Sequence, residues 1–122
     1  MQKFTQAHKL KKADEFSSVF IFRKAKFGKF LRFYFKPNSE LLHSRLGLIV
    51  SKKIHKKSNK RFYMKRVLRE LFRMNQEFWF PYDVVIKVQK LFTKNEFKEI
   101  KEEFNFLTKH LVNNKLFTKN NI

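Results

Sequence analysis

The sequence predicts an α+β fold, a single-domain α-β sandwich with three helices packed on a mixed sheet. Three observations carry that expectation. Residues 30–36 alternate two sets of side chains with the period of a strand. Residues 60–74 place Met64, Val67, Leu68 and Leu71 on one stripe at helical spacing. Residues 83–89 form the β-branched run DVVIKVQ beyond that helix. A helix between two strands is a crossover unit, and the expected order is α-β-β-α-β-α.

The first helix is read over residues 13–22. Phe16, Val19 and Phe20 share a face, and Asp14 and Glu15 suit the first turn, where carboxylates meet the helix dipole. Gly28 breaks the pattern. In the first strand Leu31, Phe33 and Phe35 point one way, and Phe30, Arg32, Tyr34 and Lys36 point the other. The second set has two readings. It is either another core face or a platform where bases stack on aromatics while cations hold the backbone. Pro37-Asn38-Ser39 marks a turn.

Residues 45–52 (RLGLIVSK) are the second strand, with Leu46, Leu48 and Val50 on one face. A basic loop follows, and Ser58 or Asn59 is placed to cap the second helix. Opposite the apolar stripe of that helix lie Arg61, Lys65, Arg66, Arg69 and Arg73, with Phe62 inside the basic arc. Residues 79–82 contain Pro81 and read as a connection. After the third strand, Thr93 and Glu96 form a capping-box signal. It opens a third helix with Phe97, Ile100, Phe104, Leu107 and Leu111 on one side, and four glutamates (Glu96, Glu99, Glu102, Glu103) at solvent-face spacing. The ordered core is expected over residues 9–112, and the polar tail from 113 to 122 is expected to fray.

Charge then narrows the function. The 122 residues hold 29 Lys and Arg against 10 Asp and Glu, net +19. Residues 51–73 alone carry ten basic residues and one acid, Glu70. A solvated helix face alternates signs to gain i,i+4 pairs; this one does not. Its simplest partner is a polyanion, whose condensed counterions are released when Lys and Arg meet phosphate. Phe occurs 17 times and Gly and Pro twice each, which suits a packed domain rather than a basic tail. The absence of cysteine removes disulfides, thiolate nucleophiles and Cys-type zinc sites. No apolar run nears the ~18 residues of a membrane span, and the N-terminus opens no signal region, so the cytoplasm is expected.

No catalytic constellation emerges. His8, His43, His55 and His110 share no metal-ligand spacing, Ser51 lacks the setting of a nucleophile, and two glycines make no phosphate loop. The basic arc offers no Asn or Gln to read bases, against a DNA-binding regulator. A structural ribosomal-type RNA-binding protein without a substrate groove stays open as an alternative.

Two stretches go further. Arg45-Leu46-Gly47-Leu48-Ile49-Val50-Ser51-Lys52-Lys53, and then Lys65-Arg66-Val67-Leu68-Arg69-Glu70-Leu71-Phe72-Arg73, resemble the protein subunit of bacterial ribonuclease P. That family's pattern is a strand ending in SKK, a short loop, and a helix reading RNRxKRxxRExFR. Residues 14–20 (DEFSSVF) resemble its F-x-x-V-F helix, and residues 83–86 its later strand. The loop after Lys53 is one residue longer here, His55 stands where the loop glycine belongs, and the RNR triplet reads Arg61-Phe62-Tyr63. Phe62 is placed to stack on a base instead.

The resemblance implies a subunit of an endoribonuclease that removes the 5′ leader of precursor tRNA, with catalysis by magnesium ions at the phosphates of the RNA subunit. It implies no catalytic residue, metal or cofactor in this chain, and no membrane or obligate protein partner. By position, Lys52, Lys53, Arg61, Lys65, Arg66 and Arg69 would face the catalytic RNA, with Arg73 on the same arc. Phe16, Phe20 and Tyr34, joined by Phe30 and Arg32, would line a groove for the single-stranded leader. The family's crossover also has the rare left-handed sense.

Overall fold

A computed structural model describes residues 9–38, 44–79 and 82–120; the side chains of Glu77 and of residues 110–120 are not among the described groups. The helices are α1 (Ala13–Phe22), α2 (Ser58–Met74), a single turn α3 (Gln76–Trp79) and α4 (Phe97–Asn120). The strands are β1 (Ala25–Phe27), β2 (Leu31–Pro37), β3 (Arg45–Ile49) and β4 (Tyr82–Val88). They form one mixed sheet in the order β1-β2-β4-β3. β2 runs antiparallel to β1 and β4, while β3 lies parallel to β4 and reaches it through α2. A parallel pair needs such a crossover, because no tight turn can join its strands.

Alternation along the strands divides the side chains between two faces. Leu31, Phe33 and Phe35 of β2 sit opposite Val88, Ile86 and Val84 of β4. With Leu46 they meet Met64, Val67, Leu68, Leu71 and Phe72 of α2 and Ile100, Phe104 and Leu107 of α4 in the main core. Phe33 makes ring contacts with Trp79 at 5.4 Å and Phe104 at 5.2 Å. The other face carries a smaller cluster. There Leu10, Val19 and Val85 are buried, and Phe16, Phe20, Tyr34 and Ile49 are partly covered around them. The residues just before α1 close the β3 edge: Lys9 bridges to Leu46, and the Leu10 amide donates to the Leu46 carbonyl at 2.9 Å.

Several expectations change. β1 was not foreseen, because three residues are too few to show a period. β3 ends at Ile49, ahead of Lys52. Neither Ser58 nor Asn59 caps α2; both are inside it, and Lys57 occupies the cap position without a side-chain bond. The loop closes instead through Arg61, whose Nη1 donates to the carbonyls of His55 and Lys56 at 3.0 and 2.9 Å. The Thr93–Glu96 box forms, but it opens a 3₁₀ turn that leads into α4. Phe97 is 42% exposed rather than on the packed side. α4 follows that turn from Phe97 to Asn120.

Glu103 is not a solvent-face residue. Its carboxylate accepts from the backbone amides of Lys29, Phe30 and Leu31, at 2.8 to 3.2 Å, clamping the β1–β2 turn to α4. Gly28 permits the close approach, because a Cβ there would stand 2.5 Å from the Glu103 carboxyl carbon. His8, Ser39, His43, Pro81 and residues 121–122 lie outside the described residues. Among the described residues, no helix is long and apolar enough to cross a membrane.

Candidate nucleic-acid interface

Met64, Val67, Leu68, Leu71 and Phe72 turn α2 toward the core, and its basic residues are therefore presented away from it. Lys52 and Lys53 are exposed in the turn after β3. Phe62 projects from the outward side, 62% exposed. The Arg66 guanidinium stands 5.9 Å from the centroid of the Tyr63 ring, a cation–π distance that holds its fork in place. Lys65 and Arg69 are half-buried on the flank toward β3.

Two of the expected RNA-facing arginines are already engaged. Arg61 spends hydrogen bonds on the loop carbonyls. Arg73 donates to both carboxylate oxygens of Glu70, at 3.1 and 2.5 Å. That pairing holds the Glu70 carboxyl below its usual range and raises the Arg73 guanidinium.

On the opposite face of the sheet, α1 lies across β2 and β4. Phe20 meets Tyr34 edge-on at 4.7 Å, and Phe27 of β1 meets the same ring at 6.1 Å. Arg32 lies over Phe27, 5.1 Å from its centroid. Its Nε is shielded from solvent and has no hydrogen-bond partner among the described residues. Aromatic surface and a cationic side chain thus lie side by side on this face.

The structure brings together Phe16, Phe20, Arg32 and Tyr34 on this side, as expected, and excludes Phe30. Phe30 is 3% exposed, belongs to the main core and packs edge-on to Phe92 at 6.4 Å. The strand pairing begins at Leu31, so the alternation that placed Phe30 with Arg32 does not reach back to it.

Two residues were missed. Phe27, 63% exposed, completes the aromatic groove, and nothing in its sequence context marked it. Arg45 positions the groove. Its Nε and Nη2 reach the two oxygens of Asp83 at 2.8 and 2.9 Å, and its Nη1 reaches Glu15 at 2.7 Å. Asp83 is 2% exposed, so this bidentate pair is the partner its burial requires. Glu15 also accepts from the amides of Lys12 and Lys11, at 3.0 and 2.9 Å. These two bonds first, and Arg45 after them, keep its carboxyl below the ordinary range. The network pins the start of α1 to β3 and β4. Gly47 sets the spacing: a Cβ there would come within 2.5 Å of the Phe16 ring. A glycine inside an aliphatic strand is the sequence mark of such close approach.

The two expected RNA surfaces also touch. A cleft of about 140 Å³ at the β3 edge is lined by Phe16 from one surface and by Lys65 and Arg69 from the other, with Lys9, Leu10 and Leu46 between. Among the described residues, no three His, Cys, Asp or Glu side chains are grouped as metal ligands would be.

Comparison with known proteins gives a consistent picture. The family model described as Ribonuclease P matches residues 4–112. A ribonuclease P protein component from Chromobacterium violaceum is 42% identical over 94 residues, covering 77% of this chain and 77% of that protein. The solved ribonuclease P protein from Thermotoga maritima superposes with a TM-score of 0.58 at 27% identity, covering 86% of this chain and 92% of that one. The Staphylococcus aureus protein shares the fold with a TM-score of 0.75 at 23% identity, covering 85% and 94%.

Proposed function

The chain belongs to the ribonuclease P protein family, and from that premise we propose that it binds the catalytic RNA through α2 and holds the 5′ leader of precursor tRNA in the groove under α1. The observation that carries the leader half is the cluster of Phe20, Phe27 and Tyr34 beside the Arg32 guanidinium. Base stacking on such rings contributes about 1–3 kcal/mol per base and tolerates any base. The Arg32 guanidinium adds positive charge beside those rings. Lys52, Lys53, Lys65, Arg66 and Arg69 form a phosphate surface, and Phe62 adds a stacking ring where the family pattern has polar donors. Arg61 and Arg73 serve first to hold the loop and the helix surface in shape.

In this reading the RNA subunit carries the chemistry, with magnesium at its own phosphates. The residues of this chain bind and orient, so that the leader and the catalytic RNA are held by one rigid body. The ribosomal-type alternative rested on charge and fold style, and the family match favours the ribonuclease P reading over it.

Reconstitution tests the proposal. The full chain is combined with the catalytic RNA at low magnesium, and cleavage of precursor tRNA is followed with long and short leaders. Stimulation that depends on leader length is expected, and Tyr34→Ala should weaken binding of long-leader substrate about tenfold, one stacked base. No stimulation by the wild-type protein would overturn the reading.

A further inference from the structure

The cleft on one flank of α2, at the β3 edge, belongs to the surfaces described so far. A second, of about 480 Å³, lies between the start of α2 and the turn before α4. Asn59, Lys60 and Tyr63 line it from α2, and Thr93, Lys94 and Asn95 line it from the turn. Resting on the reading of α2 as an RNA-binding helix, we infer that this cleft receives one unpaired nucleotide of the catalytic RNA, its base on Tyr63 and its phosphates beside Lys60 and Lys94.

Four features carry the inference. The volume lies in the range of small-molecule sites, and a nucleotide fits it. The Tyr63 ring is fixed before any ligand arrives, with Phe92 edge-on at 6.4 Å and Arg66 at 5.9 Å. A ring already immobilised loses little entropy on stacking. Both lysines are exposed, and the lining has no acid to neutralise them. The neighbouring Glu96 is occupied by the amide and hydroxyl of Thr93, at 3.2 Å each. Finally, the Asn59 and Asn95 side-chain amides have no hydrogen-bond partner among the described residues, which leaves a donor and an acceptor on each for a base edge.

Location selects the source of the nucleotide. The cleft opens on the side of the sheet where α2 and α4 pack, whereas Phe20 and Tyr34 lie on the α1 side. A leader held in the α1 groove is on the far face, and the RNA that lies along α2 is the near one.

The chain has no cysteine, so one introduced thiol is a unique attachment point. Asn95→Cys and, separately, Phe62→Cys are labelled with a photoactivatable aryl azide in the full chain and assembled with catalytic RNA and precursor tRNA. The label at position 95 should crosslink to a single unpaired nucleotide of the catalytic RNA. Lys60→Ala combined with Lys94→Ala should lower the slope of log affinity against log salt by about 1.4. Tyr63→Leu should weaken RNA binding about tenfold while Tyr63→Phe does not, with melting curves separating binding from folding. A crosslink from position 62 to the catalytic RNA, with position 95 reaching only the leader or no RNA, overturns the cleft and leaves the α2 reading standing. Failure at both positions overturns both.

Discussion

The two faces of the sheet are built from the same strands and finished differently. On the α2–α4 face, Leu31, Phe33, Phe35, Val84 and Ile86 are all buried beneath two long helices. On the α1 face a ten-residue helix covers part of the surface, and Phe16, Phe20 and Tyr34 remain partly open. Neighbouring residues of one strand thus have separate duties. Phe33 holds the domain together; Tyr34 is left available. One face stabilises, and the stability it provides allows the other to keep aromatic surface exposed.

Paired substitutions in β2 are the strongest way to break that contrast. Phe33→Ala should cost about 3–5 kcal/mol in denaturant unfolding, the range for a deleted core aromatic. Tyr34→Ala, one residue on, should cost far less stability and be felt in leader binding instead. Similar losses of stability from both would end the distinction.

Arg45→Met probes how the open face is attached. It leaves the Asp83 carboxylate buried without its partner, and breaking a buried pair costs about 3 kcal/mol or more. The loss should be followed by protection of α1 amides in hydrogen exchange falling more than that of α2. A smaller effect, about 1–3 kcal/mol of overpacking, is expected for Gly47→Ala, which forces the Phe16 ring off the strand. Its signature is weaker leader binding out of proportion to the change in melting temperature.

The smallest effect is in pH. The Glu15 carboxyl is depressed in the fold, so its contribution is complete above the ordinary value of 4.5 and is lost as pH falls through the lower, folded one. Exchange at the start of α1 should therefore rise in acid before that of the main core. Uniform loss across both faces would show that α1 is not separately anchored.

Much of this was legible in the sequence because it depends on period. The stripe of Met64, Val67, Leu68 and Leu71, the alternation of Leu31, Phe33 and Phe35, and the Thr93–Glu96 box each repeat a local rule, and each formed. What stayed hidden depends on contacts between distant residues. Arg45 finds Asp83 across 38 positions, and Glu103 finds the β1–β2 turn across 72 to 74. β1 exists because β2 offers it an edge, not because Ala25–Phe27 favours a strand. Phe30 was misplaced by extending a pattern one residue beyond the ladder that enforces it. Of the candidate site, the charge of α2 was plain from composition, but which cations are free was not. Arg61 and Arg73 are occupied by local partners, the His55 and Lys56 carbonyls just before the helix and Glu70 one turn back, which a reading by sign of charge passed over.

The Glu103 clamp has a consequence for how the domain forms. The turn between β1 and β2 is local and can close early, yet three of its amides wait for a carboxylate more than seventy residues downstream. On a growing chain that carboxylate is made long after the turn, so the turn has no clamp until then. Final ordering of the tip, and with it the setting of Phe27 and Arg32 on the adjoining strands, is coupled to docking of α4. A contact of that sequence separation is expected to form after the nucleus, so Glu103→Ala should speed unfolding while leaving the folding rate nearly unchanged, as stopped-flow kinetics would read.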